Sequence, residues 1–174
     1  MMKYLKSFKI FEEAGSGAYA SFHNKAGENF WGNIGGGVLP ICSSTGRILL
    51  PYRSKYVNEP HTWGVWGGKI DEESGEAQTD IEEVVKREFM EEGDFTGDIQ
   101  LIPAYIFETP NGSFKYYNFI GLLDEEFTPE LDWETESFKW VTFDEMMEIE
   151  PKHFGLQGLL KDLKSMQIIK KYAK

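Results

Sequence analysis

The sequence predicts an α/β fold in which a mixed β-sheet lies between helices. Three observations carry that prediction. Apolar stretches at 37–53 and 99–123 each double back at a turn, as hairpins do. A strongly marked helix falls between the two hairpins, at 80–92. A further strand at 138–141, with helical stretches beyond it, closes the chain. Strands that surround a central helix and finish in helices bury their apolar faces as a sheet covered on both sides.

Each element has its own signal. Residues 1–34 are expected to be an extension packed on a single domain of residues 35–174. Leu5, Phe8, Ile10 and Phe11 are its docking side chains, 12–17 reads as a loop and 24–27 as a turn. The stretches 37–42 and 47–53 flank a turn at 43–46, with Pro40 and Pro51 expected at edges or irregular places. Gly35, Gly36 and Gly37 read as a turn leading into the first of these strands, or as a place where backbone approaches a ligand. A glycine- and tryptophan-rich stretch, 61–69, precedes the helix. Asp80 is a candidate N-cap with Glu83 at N3, Thr79 with Glu82 is nearly as good, and the helix stops at Gly93. Residues 99–109 and 114–123 pair around Pro110, Asn111, Gly112 and Ser113. Thr142 and Glu145 cap a short helix, and 156–169 reads as one amphipathic helix with leucines at 156, 159, 160 and 163.

Composition excludes several functions. The 174 residues are 41% apolar and 27% charged, the usage of a soluble globular domain. No apolar run is long enough for a membrane span, and the lysines near the N-terminus lead into no secretory signal. Cys42 is the single cysteine, which rules out a disulfide framework and a cysteine-built metal site and fits a reducing cytoplasm. Eighteen basic against 29 acidic residues give a net charge of −11, so duplex nucleic acid is not the expected partner. Such a surface repels a polyphosphate unless cations intervene.

The helix at 80–92 holds the most informative residues. At about 100° per residue, Glu92 lies about 40° to one side of Glu88 and Glu91 about 60° to the other. Ile81, Val84 and Val85 fall in the same arc, while Glu83, Lys86 and Met90 fall opposite. Three carboxylates are therefore expected to face inward with the apolar residues. Like charges at this spacing cost about 0.2–0.5 kcal/mol per pair even when exposed. Arg87 supplies part of the counter-charge, and a hard divalent cation is the expected source of the rest.

At these residues the chain resembles the Nudix (MutT-type) hydrolase family. That family's pattern is a glycine, five residues, a glutamate, seven residues, then Arg-Glu-aliphatic-x-Glu-Glu-x-Gly-aliphatic. Here its second half reads Arg87-Glu88-Phe89-Met90-Glu91-Glu92-Gly93-Asp94-Phe95, and its first half runs from Gly67-Gly68 to Glu76. Thr62-Trp63-Gly64-Val65-Trp66 resembles the approach to the glycines, and Trp133-Glu134-Thr135-Glu136 a glutamate-bearing loop before the last strand. The likeness covers about residues 35–165. It departs in a longer path from Gly68 to Arg87, in Trp66 where the family has proline, and in Asp94 where it has glycine. Gly93, one position early, is expected to take the left-handed conformation instead.

The resemblance implies an α/β/α sandwich and magnesium- or manganese-dependent hydrolysis of a nucleoside diphosphate linked to another moiety. It implies metal binding by Glu88, Glu91 and Glu92 with a main-chain carbonyl near Gly68, an orienting or phosphate-holding role for Arg87, and Glu134 as a base or extra ligand. One of the helix glutamates is an alternative base, and Glu76 is less secure because of the longer loop. A small diphosphate or nucleotide is the expected partner, without membrane or duplex nucleic acid. Two alternatives accompany this reading. One is a non-catalytic ligand-sensing Nudix domain; the other is an enzyme like isopentenyl diphosphate isomerase, which needs a reactive cysteine. His23, His61 and His153 read as surface or packing residues, Cys42 as core, and Trp63 and Trp66 as packing. Tyr52, Arg53, Phe107, Tyr116 and Tyr117 read as core or sheet surface, with contact to a nucleobase as the alternative.

Overall fold

The computed structural model of the chain describes residues 34–57, 59–69, 81–109, 112 and 114–174. The readings of residues 1–33, of the Asp80 cap, of Glu76 and its loop, and of most of the turn at 110–113 lie outside the described residues. The elements are β1 (Ile34–Cys42), β2 (Ile48–Arg53), β3 (Trp66–Lys69), α1 (Ile81–Glu92), β4 (Gln100–Glu108), β5 (Lys115–Leu123), β6 (Thr135–Val141), α2 (Phe143–Glu148), α3 (Phe154–Lys161) and α4 (Leu163–Tyr172).

Among the described residues these strands form one sheet in the order β4-β5-β1-β2-β6, with β3 paired to β1. The sheet is mixed, because β1 runs parallel to β5 and antiparallel to β2 and β3. Along one edge β1 changes partner. Gly35 to Val38 pair with β3, and Ile41 pairs with Ile48 of β2. Pro40 falls between these two pairings, an irregular place that suits its missing N–H.

Alternating strand residues feed two cores, one on each face. Val38, Leu49, Trp66 and Phe119 pack with Val84, Val85 and Phe89 of α1. Their neighbours Leu39, Ile48, Leu50 and Ile120 pack with Met146, Leu156, Leu159 and Ile169 from α2, α3 and α4. The result is the α/β/α sandwich. Thr142 and Glu145 form the expected reciprocal cap on α2. Among the described residues no helix is long and apolar enough to cross a membrane.

Three local expectations are corrected. The glycines at 35–37 form no turn; they are strand residues of β1. A Cβ on Gly35 would stand 2.7 Å from Tyr116 Cδ2, and one on Gly37 2.5 Å from Tyr116 Oη, so the glycines clear a bed for the Tyr116 ring. The last helical stretch is two helices. Asp162 ends α3 and caps α4, with Oδ2 accepting from both Ser165 N at 2.8 Å and Ser165 Oγ at 2.7 Å. The break turns Leu163 out of the apolar face and leaves it 81% exposed.

The third correction is at the end of α1. Asp94, not Gly93, takes the left-handed conformation, with φ of 47°. Phe95 N donates to Met90 O at 2.9 Å and Asp94 N to Glu91 O at 3.4 Å, the paired closure of a Schellman end. Aspartate tolerates this conformation better than most residues with a β-carbon, but glycine adopts it freely. Asp94→Gly is therefore expected to raise stability by about 0.5–1 kcal/mol with activity unchanged, read by urea denaturation.

Candidate functional site

The site is built where β3 meets the end of α1. Trp66, 2% exposed, sets its indole edge-on against Phe89, with ring centroids 6.0 Å apart and planes at 81°. Its Nε1 donates to the Leu49 carbonyl at 3.3 Å, so β3 is held from both sides. The next residue, Gly67, donates its N–H to Glu92 Oε2 at 3.2 Å. Gly67 has φ of 131°, and a Cβ there would run into the Gly36 carbonyl and stand 2.6 Å from Gly37 Cα. Only glycine lets β3 lie this close to β1 and still present its N–H to Glu92.

More negative than positive groups surround Glu92. Burial pushes its carboxyl from an ordinary value near 4.5 up to about 8, and the negative groups Glu134, Asp132 and Glu88 push the same way. The hydrogen bond from Gly67 opposes them, and the Arg53 guanidinium lies near enough to interact with Glu92. Glu134 is itself raised, first by burial and then by Asp132, with Arg53 working against both. The Arg53 guanidinium is lowered by burial and held charged by Glu134, Tyr116, Glu59 and Glu92. Burial, with Glu92 nearby, raises Tyr116 far above the usual phenol range.

Glu88, Glu91 and Glu92 do not share one environment. The Glu88 side chain is 34% exposed and that of Glu91 67%. Arg87 reaches both, with Nη2 3.2 Å from Glu88 Oε1 and Nε 3.8 Å from Glu91 Oε1. The reason lies in Phe89. The buried side chains of α1 are Val84, Val85 and Phe89, and at about 100° per residue their mean direction lies about 40° from Glu88, on Glu92. Glu91 is then about 100° from the centre of the buried arc and falls on its flank. Met90, expected on the far side, is half-buried against the first core. Among the described residues no three His, Cys, Asp or Glu side chains are gathered closely enough to form a ready metal cage.

The loop bearing Glu134 brings both Glu134 and Asp132, a residue with no motif of its own, close enough to Glu92 to raise its carboxyl. Gly68 sits beside Gly67 in β3, with its carbonyl oxygen 3.1 Å from where a Cβ on Gly35 would stand. His61 faces Glu136 at 3.3 Å near the surface. His153 is buried: Nδ1 accepts from Gly155 N at 3.1 Å, which leaves the proton on Nε2, 3.5 Å from Glu59 Oε2. Burial and Arg53 hold His153 well below the ordinary imidazole range, so it is neutral. Glu59 Oε2 also accepts from Phe154 N at 3.0 Å, so this pair ties the segment after β2 to the start of α3. Trp63 and Trp66 are core residues, and Tyr52 packs on Trp63 at 4.7 Å. Cys42 is buried at the far end of β1, six residues or about 20 Å from the Gly36–Gly68 pair.

A mixed sheet between helices, with a glycine strand braced against an acidic helix end, defines an α/β protein with a carboxylate held where β3 meets α1. The chain belongs to the NUDIX domain family, whose model matches residues 33–163. Solved structures agree on the fold. A Nudix hydrolase from M. smegmatis, RenU, superposes with a TM-score of 0.61 at 18% identity, over 80% of this chain and 84% of that one. A MutT protein from Methanosarcina mazei Go1 gives 0.57 at 19%, over 80% and 93%. A C. elegans Ap4A hydrolase in a binary complex gives 0.56 at 16%, over 80% and 97%. No curated protein sequence matches the chain.

Proposed function

We propose that this protein hydrolyses a diphosphate bond in a nucleoside diphosphate linked to another moiety, using magnesium or manganese. The observation that carries the reading is Glu92, a half-buried carboxylate bonded to the Gly67 N–H and pressed by Glu134, Asp132 and Glu88 at the junction of β3 and α1. Such crowding fits a hard divalent cation, which takes oxygen ligands. Glu92 and Glu88 would hold it, joined by Glu91 on leaving Arg87 and by the Gly68 carbonyl. Once bound, the cation neutralises phosphate oxygens and acidifies water. Arg87, freed from the glutamates, holds phosphate. Glu134, whose carboxyl is raised by burial and by Asp132, takes the proton from the attacking water. A small nucleotide is the substrate class, in the cytoplasm; a NUDIX domain from Shewanella oneidensis with ADP ribose, similar in fold at 14% identity, supports that class.

The retained helix carboxylates favour turnover over mere sensing. An isomerase using Cys42 is not supported, because the thiol lies at the other end of β1. With a panel of nucleotide diphosphates, activity is expected to vanish in chelator and to return with magnesium or manganese. Cation affinity is expected to rise as pH climbs toward about 8, because a proton on Glu92 competes with the metal. Full turnover after exhaustive metal removal would sink the proposal.

A further inference from the structure

The hydrolase reading leaves one buried carboxylate without a part. Glu59 is 8% exposed, and its side chain 3%. It belongs to the loop that follows β2. Arg53 N donates to the Thr62 carbonyl and His61 N to the Arg53 carbonyl, both at 2.9 Å, so the two ends of this loop pair. Glu59 and His61 hold φ of 46° and 59°, the left-handed region that residues with a β-carbon seldom take. Such strain persists only where the surroundings fix it, and it gathers at functional sites. Here it accompanies an inward turn of Glu59, whose Oε2 accepts from Phe154 N at 3.0 Å and stands 3.5 Å from His153 Nε2. His153 is neutral, so a different group must balance this buried charge. The nearby Lys152 is engaged elsewhere, with Nζ donating to the Met147 and Ile149 carbonyls and to Glu150.

Arg53 supplies the balance. A Cβ on Gly64 would stand 3.6 Å from His153 Cβ and 3.7 Å from Arg53 Cδ, so the arginine stem and the histidine meet over this glycine. Glu59 is among the groups that hold the guanidinium charged, and so are Glu134 and Glu92. These carboxylates come from opposite faces of the sheet. Glu59 is tied to the start of α3, which covers one core, while Glu92 ends α1, which covers the other. Glu134 reaches Arg53 through the β2–β6 ladder, where Arg53 pairs with Thr135 and Ser54 N donates to the Glu134 carbonyl at 2.8 Å. One guanidinium is thus shared between an anchor outside the chemistry and two carboxylates inside it.

We propose that Glu59 is a positioning residue for the cation site: it draws the Arg53 charge toward itself and so keeps Glu92 and Glu134 open to a divalent cation. This deepens the hydrolase reading and rests on it. Without the Glu59 charge, Arg53 turns its whole attraction on Glu92 and Glu134 and competes with the metal for them. Glu59 touches neither metal nor substrate and acts through Arg53 alone.

The test is calorimetric titration of the full chain with manganese, without substrate, each variant checked by thermal denaturation. Glu59→Gln keeps an oxygen acceptor for Phe154 N and removes only the charge, so it should melt close to wild type. Its manganese affinity should fall about tenfold, the scale at which groups behind a metal ligand act. Adding Arg53→Met removes the competing cation, and the double variant should recover wild-type affinity or better. Arg53→Met alone should bind manganese about tenfold more tightly than wild type. Glu136→Gln removes the same charge near the surface, where solvent screens it, and should change affinity by less than about twofold. Unchanged affinity in Glu59→Gln overturns the proposal and leaves Glu59 as a cap on α3. A double variant no better than the single one overturns it too, as does weaker binding by Arg53→Met. An equal loss in Glu136→Gln reduces the effect to net charge and overturns it as well. Wild type that binds manganese but turns over no diphosphate defeats the hydrolase reading alone, because every readout here is binding.

Discussion

Glu92→Gln is expected to abolish most turnover while making the protein at least as stable as wild type. The activity loss should be about a hundredfold or more, since even the outer partners of a metal ligand are worth about 10–100-fold. The stability gain follows from linkage. The carboxyl titrates near 4.5 when unfolded and near 8 when folded. Wild type therefore carries no penalty from this group below pH 4.5, an increasing one between 4.5 and 8, and the full one above 8. Raising a carboxyl's pKa tenfold in proton affinity costs about 1.4 kcal/mol once the group is ionised, so the penalty is on the order of a few kcal/mol. Glutamine keeps an acceptor for the Gly67 N–H and removes the charge. Urea denaturation in chelator at about pH 5 and pH 9 should show wild type weakening with pH and the variant weakening less. A variant that unfolds, or one with normal turnover, would falsify this account of Glu92.

Gly67→Ala is expected to be strongly damaging, and Gly68→Ala next to it mild. At Gly67 both obstacles are backbone, the Gly36 carbonyl and Gly37 Cα, and φ is 131°. Backbone strain of about 1–3 kcal/mol adds to overpacking of about 1–3 kcal/mol. For a domain of this size that lowers Tm by about 5–20 °C. At Gly68 a Cβ meets nothing within 4 Å, so the shift should stay within about 2 °C. Activity in surviving Gly67→Ala protein should fall too, because Gly67 supplies the hydrogen bond to Glu92. Equal melting temperatures for the two variants would refute the close approach of β3 to β1.

The elements were legible because their signals are local. The reciprocal cap at Thr142 and Glu145 needs only four residues, and both hairpins announce themselves by apolar runs about a turn. What was not legible depended on partners distant in sequence. The bed of glycines at 35–37 makes sense only once Tyr116 lies on it. The environment of Glu91 turned on one residue, Phe89, whose burial rotates the inward face of α1 toward Glu92. Asp132 and Arg53 carry no motif; they matter because the β2–β6 pairing carries them to α1. Asp162 had a cap's chemistry, but the leucine spacing around it imitates one continuous helix. The family pattern located the helix glutamates without showing how differently they are exposed.

The pairing of β2 with β6 has a kinetic consequence. It joins Ile48 to Val141 and Arg53 to Thr135, residues far apart along the chain, and such closures come late in folding. Until it forms, Asp132 and Glu134 are not beside Glu92, so their repulsion of Glu92 exists only near the native state. A penalty absent from the transition state does not slow folding; it quickens unfolding. The chemistry of this site is thus written into the lifetime of the folded molecule, and whatever neutralises the carboxylates lengthens that lifetime without hastening its beginning.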